Sequence, residues 1–304
     1  MISRVVKTLQ GEGYPVSTID GAPPRSRLSR IDRTSPSVAW KALNEKLSAA
    51  ATNFGFKPDD VVTIDLLARA GQVVLFPSAK VDDVLECYAS IVSQGAYLVQ
   101  SLDPSVIGYD DLWRSPAGDK PTPLSRAWSA CIRDKSTFQL VHVEGIERTP
   151  LDLWIEPFIR TLSSSGRPEN LLIFMSIGGR PIATDRAYPD LSQLLVPFDP
   201  EKSPGPTADL MQRLTGYSQE KLWLDAAARP KPTTSEASAI LSSASKAPPS
   251  KLAFAVRAYA ASHCVEIGNV DGMIQLICQS LDTSQTDEDS SFAAGRKYLR
   301  TLID

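Results

Sequence analysis

Short apolar runs separated by helical patterns constrain this chain's fold more than any other feature. The runs are residues 72–76, 96–100, 138–143 and Leu171–Ile177, and the last is the most apolar stretch of the molecule. The run at 138–143 carries apolar residues on both faces, as a central strand covered from two sides requires. Between the runs, residues 81–93, 124–133 and 152–162 place apolar side chains at helical spacing, the last with Pro157 as a bend point. Residues 193–198 are expected to add a fifth, short strand. Strands alternating with helices predict an α/β fold: a parallel sheet with helices on both faces.

At 304 residues the chain can bury a full α/β core and still form a second unit. Its 42% hydrophobic and 22% charged content fits a globular protein. A net charge of −3 excludes a molecule that binds nucleic acid over its whole surface, while leaving room for a local basic face. No stretch approaches the length of a membrane span, and the N-terminus lacks the apolar core of a secretory signal, so the cytoplasm is the expected location. Cys87, Cys131, Cys264 and Cys278 show no metal-ligand spacing and read as reduced, buried thiols. With only His142 and His263, a histidine-rich metal site is excluded.

Three sections follow from the patterning. Residues 1–36 form a basic N-terminal arm in which Arg25, Arg27, Arg30 and Arg33 cluster beside Pro23 and Pro24. That spacing suits no amphipathic helix. It reads either as a solvated leader or as a docking arm for nucleic acid or an acidic partner. Residues 37–203 are the α/β core, opening with helical patterns at 38–51 and 61–70. Residues 204–304 turn helical, with patterns at 207–228, 235–245, 251–263, 270–281 and 292–302. Asp304 follows closely on the last of these, so the chain is expected to be complete.

The segment 71–89, GQVVLFPSAKVDDVLECYA, has the order strand, short turn with a lysine, helix. Residues 109–113 read YDDLW, residues 139–150 read QLVHVEGIERTP, and Gly178, Gly179 and Arg180 follow the fourth strand. Taken together, these pieces resemble the AAA+ class of P-loop NTPases, and within it the McrB/MoxR-like bacterial branch, over roughly residues 55–300. The resemblance implies a parallel-sheet P-loop NTPase-like (AAA+-like) core with a C-terminal helical lid. It places Ser78 and Lys80 at the phosphate loop, Glu144 at the metal-coordinating carboxylate, and Ser176 at the polar position ending the fourth strand. Arg148, Arg180 and Arg186 become candidate arginines acting on a neighbouring subunit's phosphate.

The sequence departs from that pattern where the chemistry sits. A working phosphate loop, GxxxxGK[ST], uses glycines to aim backbone N–H groups at the phosphates and a hydroxyl to hold Mg²⁺. Here Pro77, Ser78, Ala79 and Lys80 supply no glycine, Val81 replaces the hydroxyl residue, and Pro77 has no N–H to donate. Gly145 stands where the family's water-orienting Glu would be, and a glycine cannot polarise water. Lys80 then reads either as a phosphate-binding remnant or as a solvated lysine at a helix start. Arg148 reads either as a trans arginine or as a surface partner of Glu147 or Asp152.

Other chemistries find little support. No Gly-x-Ser-x-Gly elbow is present, and a Ser/His/Asp triad would need His142, in a central strand, or His263, at a helix end. The pairs Asp59–Asp60, Asp82–Asp83 and Asp110–Asp111 are adjacent in sequence and so point apart, and the first two sit at helix starts where negative charge is favourable. Trp113, Trp128, Trp154 and Trp223 are expected to fill interfaces between layers.

The reading that follows is a catalytically inactive AAA+-like scaffold or regulatory subunit of a bacterial multi-protein assembly. By the resemblance, defence against phage or mobile DNA is a candidate setting. It uses no cofactor and docks partner proteins. Two alternatives stay open. One is an ATPase, active only as an oligomer, that binds Mg-ATP or Mg-GTP. The other is a nucleic-acid-binding module using the arginine arm.

Overall fold

Residues 32, 34–115, 120–164, 166–178, 195–202, 221–230 and 291–303 are described by a computed structural model, with the side chains of Ser78, Ala79 and 299–303 excepted. Five parallel strands form the sheet: β2 (Val74–Pro77), β3 (Leu98–Ser101), β4 (Gln139–Glu144), β5 (Leu171–Ile177) and β6 (Val196–Pro197). Their spatial order is β3-β4-β5-β2-β6. The strand preceding the lysine, β2, therefore lies between β5 and β6, and two crossovers place β4 and β5 between β2 and β3. This is an α/β core built on a five-stranded parallel sheet, the architecture expected from the alternation of strands and helices.

Strand alternation divides the core in two. Phe76, Leu140, Leu172 and Phe174 face α1 (Leu43–Phe54), α2 (Pro58–Arg69) and α3 (Ser78–Val92). Leu75, Val141, Val143, Ile173 and Met175 face α4 (Pro123–Arg133) and α5 (Leu151–Leu162). Phe76 stacks on Phe174 at 6.1 Å between ring centroids, and Tyr88 meets Phe174 edge-on at 5.7 Å. Each such ring removed from water contributes roughly 1.5–3 kcal/mol, so the sheet centre carries much of the stability. All seven residues of β5 are buried, as its composition requires.

The helix starts have local causes. Pro58 and Pro123 each stand in the first turn, where a missing N–H costs nothing. The Thr122 hydroxyl caps α4 by accepting from the Ser125 N–H at 3.2 Å. Gly55, at φ +73°, closes α1 in the left-handed conformation that glycine adopts without strain. Pro157 lies inside α5, and Thr161 turns its hydroxyl back onto the Pro157 carbonyl at 3.0 Å.

Several elements differ from the sequence expectation. The first helical pattern is split into a two-residue strand, β1 (Ser37–Val38), a 3-10 turn (Trp40–Ala42) and α1, because the Trp40 indole is drawn away to the Asp225 carbonyl at 3.0 Å. The expected helix over 207–228 is not formed at its described end. There β7 (Trp223–Leu224) pairs in parallel with β1, and the Trp223 indole donates to the Ser35 carbonyl at 3.1 Å. Long-range partners outweigh local helical periodicity in both places. The final helix, α6 (Ser291–Ile303), packs against β2 and β6, with Phe292 edge-on to Phe198 at 4.8 Å. The lid patterns at 235–245, 251–263 and 270–281, with His263, Cys264 and Cys278, lie outside the described residues.

Of the tryptophans, Trp154 is fully buried. Trp113 and Trp128 meet edge-on at 5.3 Å and line, with Tyr109, a shallow cavity of about 290 Å³ beside α4. Cys87 and Cys131 are buried free thiols, as expected. Burial pushes both up, Cys131 to about 12, which leaves it unreactive near neutrality.

Candidate functional site at the carboxyl end of the sheet

In open parallel sheets ligands bind beyond the carboxyl ends of the strands, and the sequence-predicted residues that are described gather there. The first finding concerns the expected turn. No turn separates strand from helix, because β2 ends at Pro77 and α3 begins at Ser78. Pro77 takes φ −59° and ψ 132°, an extended geometry that proline favours, and the chain passes straight into the helix. Ser78, Ala79 and Lys80 thus form the helix's first turn rather than a loop that could wrap an anion.

Lys80 projects from that turn toward the segment after β6. Its ammonium donates to Asp199 Oδ1 at 2.7 Å and to the Pro200 carbonyl at 3.2 Å. Neither partner was visible in the sequence, since both lie more than a hundred residues away. Ser176 is buried at the end of β5, and its hydroxyl is 2.8 Å from His142 Nε2. The two side chains meet because β4 and β5 are paired neighbours and both residues point to the α1–α3 face. His142 Nδ1 has no hydrogen-bond partner among the described residues. Burial holds the His142 pKa below its usual value, while nearby Glu144 and Asp82 pull the other way.

Glu144 is the last residue of β4, and the Ser101 hydroxyl at the end of β3 donates to it. Gly145 follows at φ +75°, and a Cβ built there would stand 3.0 Å from the Leu102 carbonyl. The position after Glu144 therefore requires a residue that tolerates both a left-handed backbone and a close carbonyl, which glycine alone does freely. Arg148 is half-exposed, with its Nε 3.7 Å from Glu147 Oε1. This is the Glu147 pairing that was one of its two expected roles.

Glu147 is the residue that sequence reasoning missed. Its side chain is only 3% exposed, and its carboxylate packs against Gly178 in the space a Cβ would fill there. Oε2 has no hydrogen-bond partner among the described residues. Tyr298 of α6 lies close enough that Glu147 and Asp199 both help raise its pKa, after burial itself. The one available signal was its place two residues after Gly145, where a chain leaving a strand turns back over the sheet edge.

The Asp pairs have separate structural roles. Asp60 is buried, accepts the Glu201 N–H at 2.7 Å and the Ser291 hydroxyl at 2.9 Å, and so fastens the start of α6 to α2. Burial raises its pKa. Asp83 pairs with Lys202 at 2.8 Å, and Asp111 accepts the N–H groups of Ile107 and Gly108, both at 2.9 Å. Arg180, Arg186, Arg25, Arg27, Arg30 and Arg33 lie outside the described residues. Among the described residues, no group of three or more His, Cys, Asp or Glu side chains could hold a metal ion, and no helix is long and apolar enough to cross a membrane.

No family model matches the chain, and no curated protein matches it. Among solved structures it is similar to the crystal structure of a protein described as a putative ATPase from Cytophaga hutchinsonii, at 10% identity and a TM-score of 0.47. The match covers 87% of this chain and 95% of that one. Strand order and register, rather than that distant likeness, define the architecture of the core.

Proposed function

We propose that this chain is a catalytically silent P-loop-like domain that serves as a scaffold or regulatory subunit of a multi-protein assembly. The observation that carries this reading is the state of Lys80, whose ammonium is held by Asp199 and Pro200 at the head of a helix that follows its strand without a loop. The donor set is a poor match for a triphosphate: Pro77 offers no N–H, no glycine shapes a nest, and the lysine already has two acceptors. Gly145 supports the same reading, because restoring a Glu there would strain the backbone. The McrB/MoxR-like resemblance adds the setting, a bacterial assembly in which phage or mobile-DNA defence is one role for such domains.

Calorimetric titration with Mg-ATP and with Mg-GTP, alongside a hydrolysis assay, tests this reading. The expected result is no heat of binding at millimolar nucleotide and no turnover. Binding that disappears in Lys80→Ala would overturn it and make the domain a nucleotide-gated switch.

A further inference from the structure

We propose that the aromatic cavity beside α4 is a docking site for a short acidic segment of a partner protein, anchored by one aromatic side chain. The cavity lies where three elements on one side of the sheet meet. Tyr109 and Trp113 come from the 3-10 turn Tyr109–Leu112 and the residue after it, Ser125, Trp128 and Ser129 from α4, and Thr161 from α5. The rings hold one another in place. Trp113 stands edge-on to Trp128 at 5.3 Å and to Tyr109 at 6.0 Å, and its ring is 6.3 Å from Phe158 in the core. The Tyr109 hydroxyl is 2.9 Å from that of Thr161, which ties the turn to α5.

Among the described residues three large apolar side chains are strongly exposed, and each is carried by one of the segments that line this cavity. Ile132, 60% exposed, sits about one turn beyond Trp128 on α4. Ile107, 59% exposed, precedes Tyr109 by two residues, and Leu153 lies about two turns before Thr161 on α5. Apolar surface gathered around an open cavity marks an interaction site. At about 290 Å³ the cavity stands at the small end of ligand pockets, so it takes one large side chain rather than a whole element. Trp113 Nε1 is buried with no hydrogen-bond partner among the described residues, so the indole is kept in this wall at a cost that stability alone does not require.

Charge selects the partner. Arg126, Ser129 and Arg133 stand at i, i+3 and i+7 on α4, so the two arginines flank a residue of the cavity wall along one ridge. Arg133 Nε donates to the Ser129 carbonyl at 3.3 Å, which holds its guanidinium beside that wall. Both arginines are exposed, and neither is in an ion pair among the described residues. The acids nearby are mostly engaged. Asp111 accepts the N–H groups of Ile107 and Gly108, Asp134 accepts the hydroxyls of Ser136 and Thr137, and Glu156 pairs with Arg160 at 3.0 Å. Asp110 is exposed beside Tyr109, at the other side of the cavity from the ridge in sequence. Two free positive charges next to an aromatic cavity attract an acidic segment with an aromatic anchor, and the Ser125 and Ser129 hydroxyls on the wall can bond its backbone.

Other occupants fit this face less well. In a symmetric pair the same surface meets itself, which brings the Arg126–Arg133 ridges of both molecules into one interface as like charges. A groove for single-stranded nucleic acid runs a track of positive charge along stacked bases, whereas here aliphatic Ile107 and Ile132 border the rings. The proposal rests on the scaffold reading in that it names the class of partner. Its site is on the side of the sheet covered by α4 and α5, while Lys80 begins α3 on the other side.

Selection of a random dodecapeptide library on the full chain, followed by fluorescence anisotropy of the enriched peptide, provides the test. Three variants are compared at low and high salt: Arg126→Glu with Arg133→Glu, Ser129→Trp to fill the cavity mouth, and Ile132→Glu at the rim. All four positions are exposed, so the core is left intact. The expected peptide carries one aromatic residue among acids, binds in a salt-sensitive way, and loses about tenfold or more in affinity in the first two variants. No enriched peptide, an enriched peptide lacking either the acids or the aromatic residue, or binding unchanged in all three variants overturns the proposal. So does self-association of the full chain that Ile132→Glu abolishes, or binding of a single-stranded oligothymidine that the same variants abolish. Matched far-ultraviolet circular dichroism of the variants ensures that loss of binding is not loss of folding. Peptide binding is read without nucleotide, so a Mg-ATP heat lost in Lys80→Ala would overturn the silent reading and leave this result standing.

Discussion

The two ends of the sheet are built on opposite principles. At the amino end the polar groups around the starts of β4 and β5 are matched. Arg167 donates to the carbonyls of Gly71 at 2.6 Å and Leu171 at 2.8 Å. Asn170 donates through Nδ2 to Asp134 and Thr137, and its own carbonyl takes the Gln139 N–H. At the carboxyl end, His142 Nδ1 and Glu147 Oε2 are buried without hydrogen-bond partners among the described residues. Buried polar groups are costly when unmatched. The difference teaches that one end is made for stability, while the other keeps polar groups that folding alone does not explain.

The largest effect expected from breaking this contrast lies at the amino end. Arg167→Ala leaves two strand-edge carbonyls short of a charged donor and should cost about 3 kcal/mol in urea unfolding. A cost under about 1 kcal/mol would dissolve the distinction. Next, Gly295→Ala would force α6 off the edge strand, since a Cβ there meets Phe198 N at 2.5 Å and the Pro197 carbonyl carbon at 2.7 Å. A loss of about 2 kcal/mol is expected, and an unchanged midpoint would mean that α6 is not part of the wall at that end.

A smaller effect is read from pH. His142 is held neutral by burial, so its folded pKa lies below the usual 6.5. The unfolded chain then binds a proton that the folded one refuses. Stability should fall as pH drops below about 6.5 and level off once the folded pKa is passed. Asp60 has the opposite sign: its raised carboxyl makes stability fall as pH rises from 3.8 toward its folded value. Thermal melts of His142→Gln should lose the slope near pH 6 while keeping the Asp60 trend.

Lys80→Ala removes an ion pair whose partners are 31% and 21% exposed, so the cost should stay below about 1 kcal/mol. A structural role alone would make the change that small, which is why its nucleotide readout matters more than its stability. The smallest expected change is a gain. Glu147→Gln keeps the shape and removes a buried charge, and should raise stability by about half a kcal/mol. A clear loss instead would show that Arg148 pairs with it more strongly than 3.7 Å suggests.

The layers of the fold were legible because burial on two sides writes itself into β4 and β5 as continuous apolar runs. The strand boundaries moved by one to three residues except at β5, whose seven residues match the sequence reading, while the first long helix begins five residues later than its pattern. The candidate site was legible only as positions. Ser78, Lys80, Glu144 and Ser176 could be placed at strand or helix ends, and Gly145 could be read as a missing carboxylate. Their partners could not. Asp199 meets Lys80 across 119 residues of sequence, and Glu147 reads as an ordinary surface acid until Gly178 is laid against it.

By itself, then, the sequence determined the parallel α/β core, the absence of phosphate-loop glycines and the basic character of the N-terminal arm. Each is a local property, carried by residue type and by periods of two or 3.6. Only the tertiary structure decided that strand passes into helix at Pro77 without a loop, that Lys80 answers to Asp199, and that Gln94 holds the Asp32 backbone at the far end of α3 from Lys80. Those outcomes depend on which distant segments are brought together. Hydrogen bonds and ion pairs are selected by distance in space, and no pattern of neighbours along the chain encodes it.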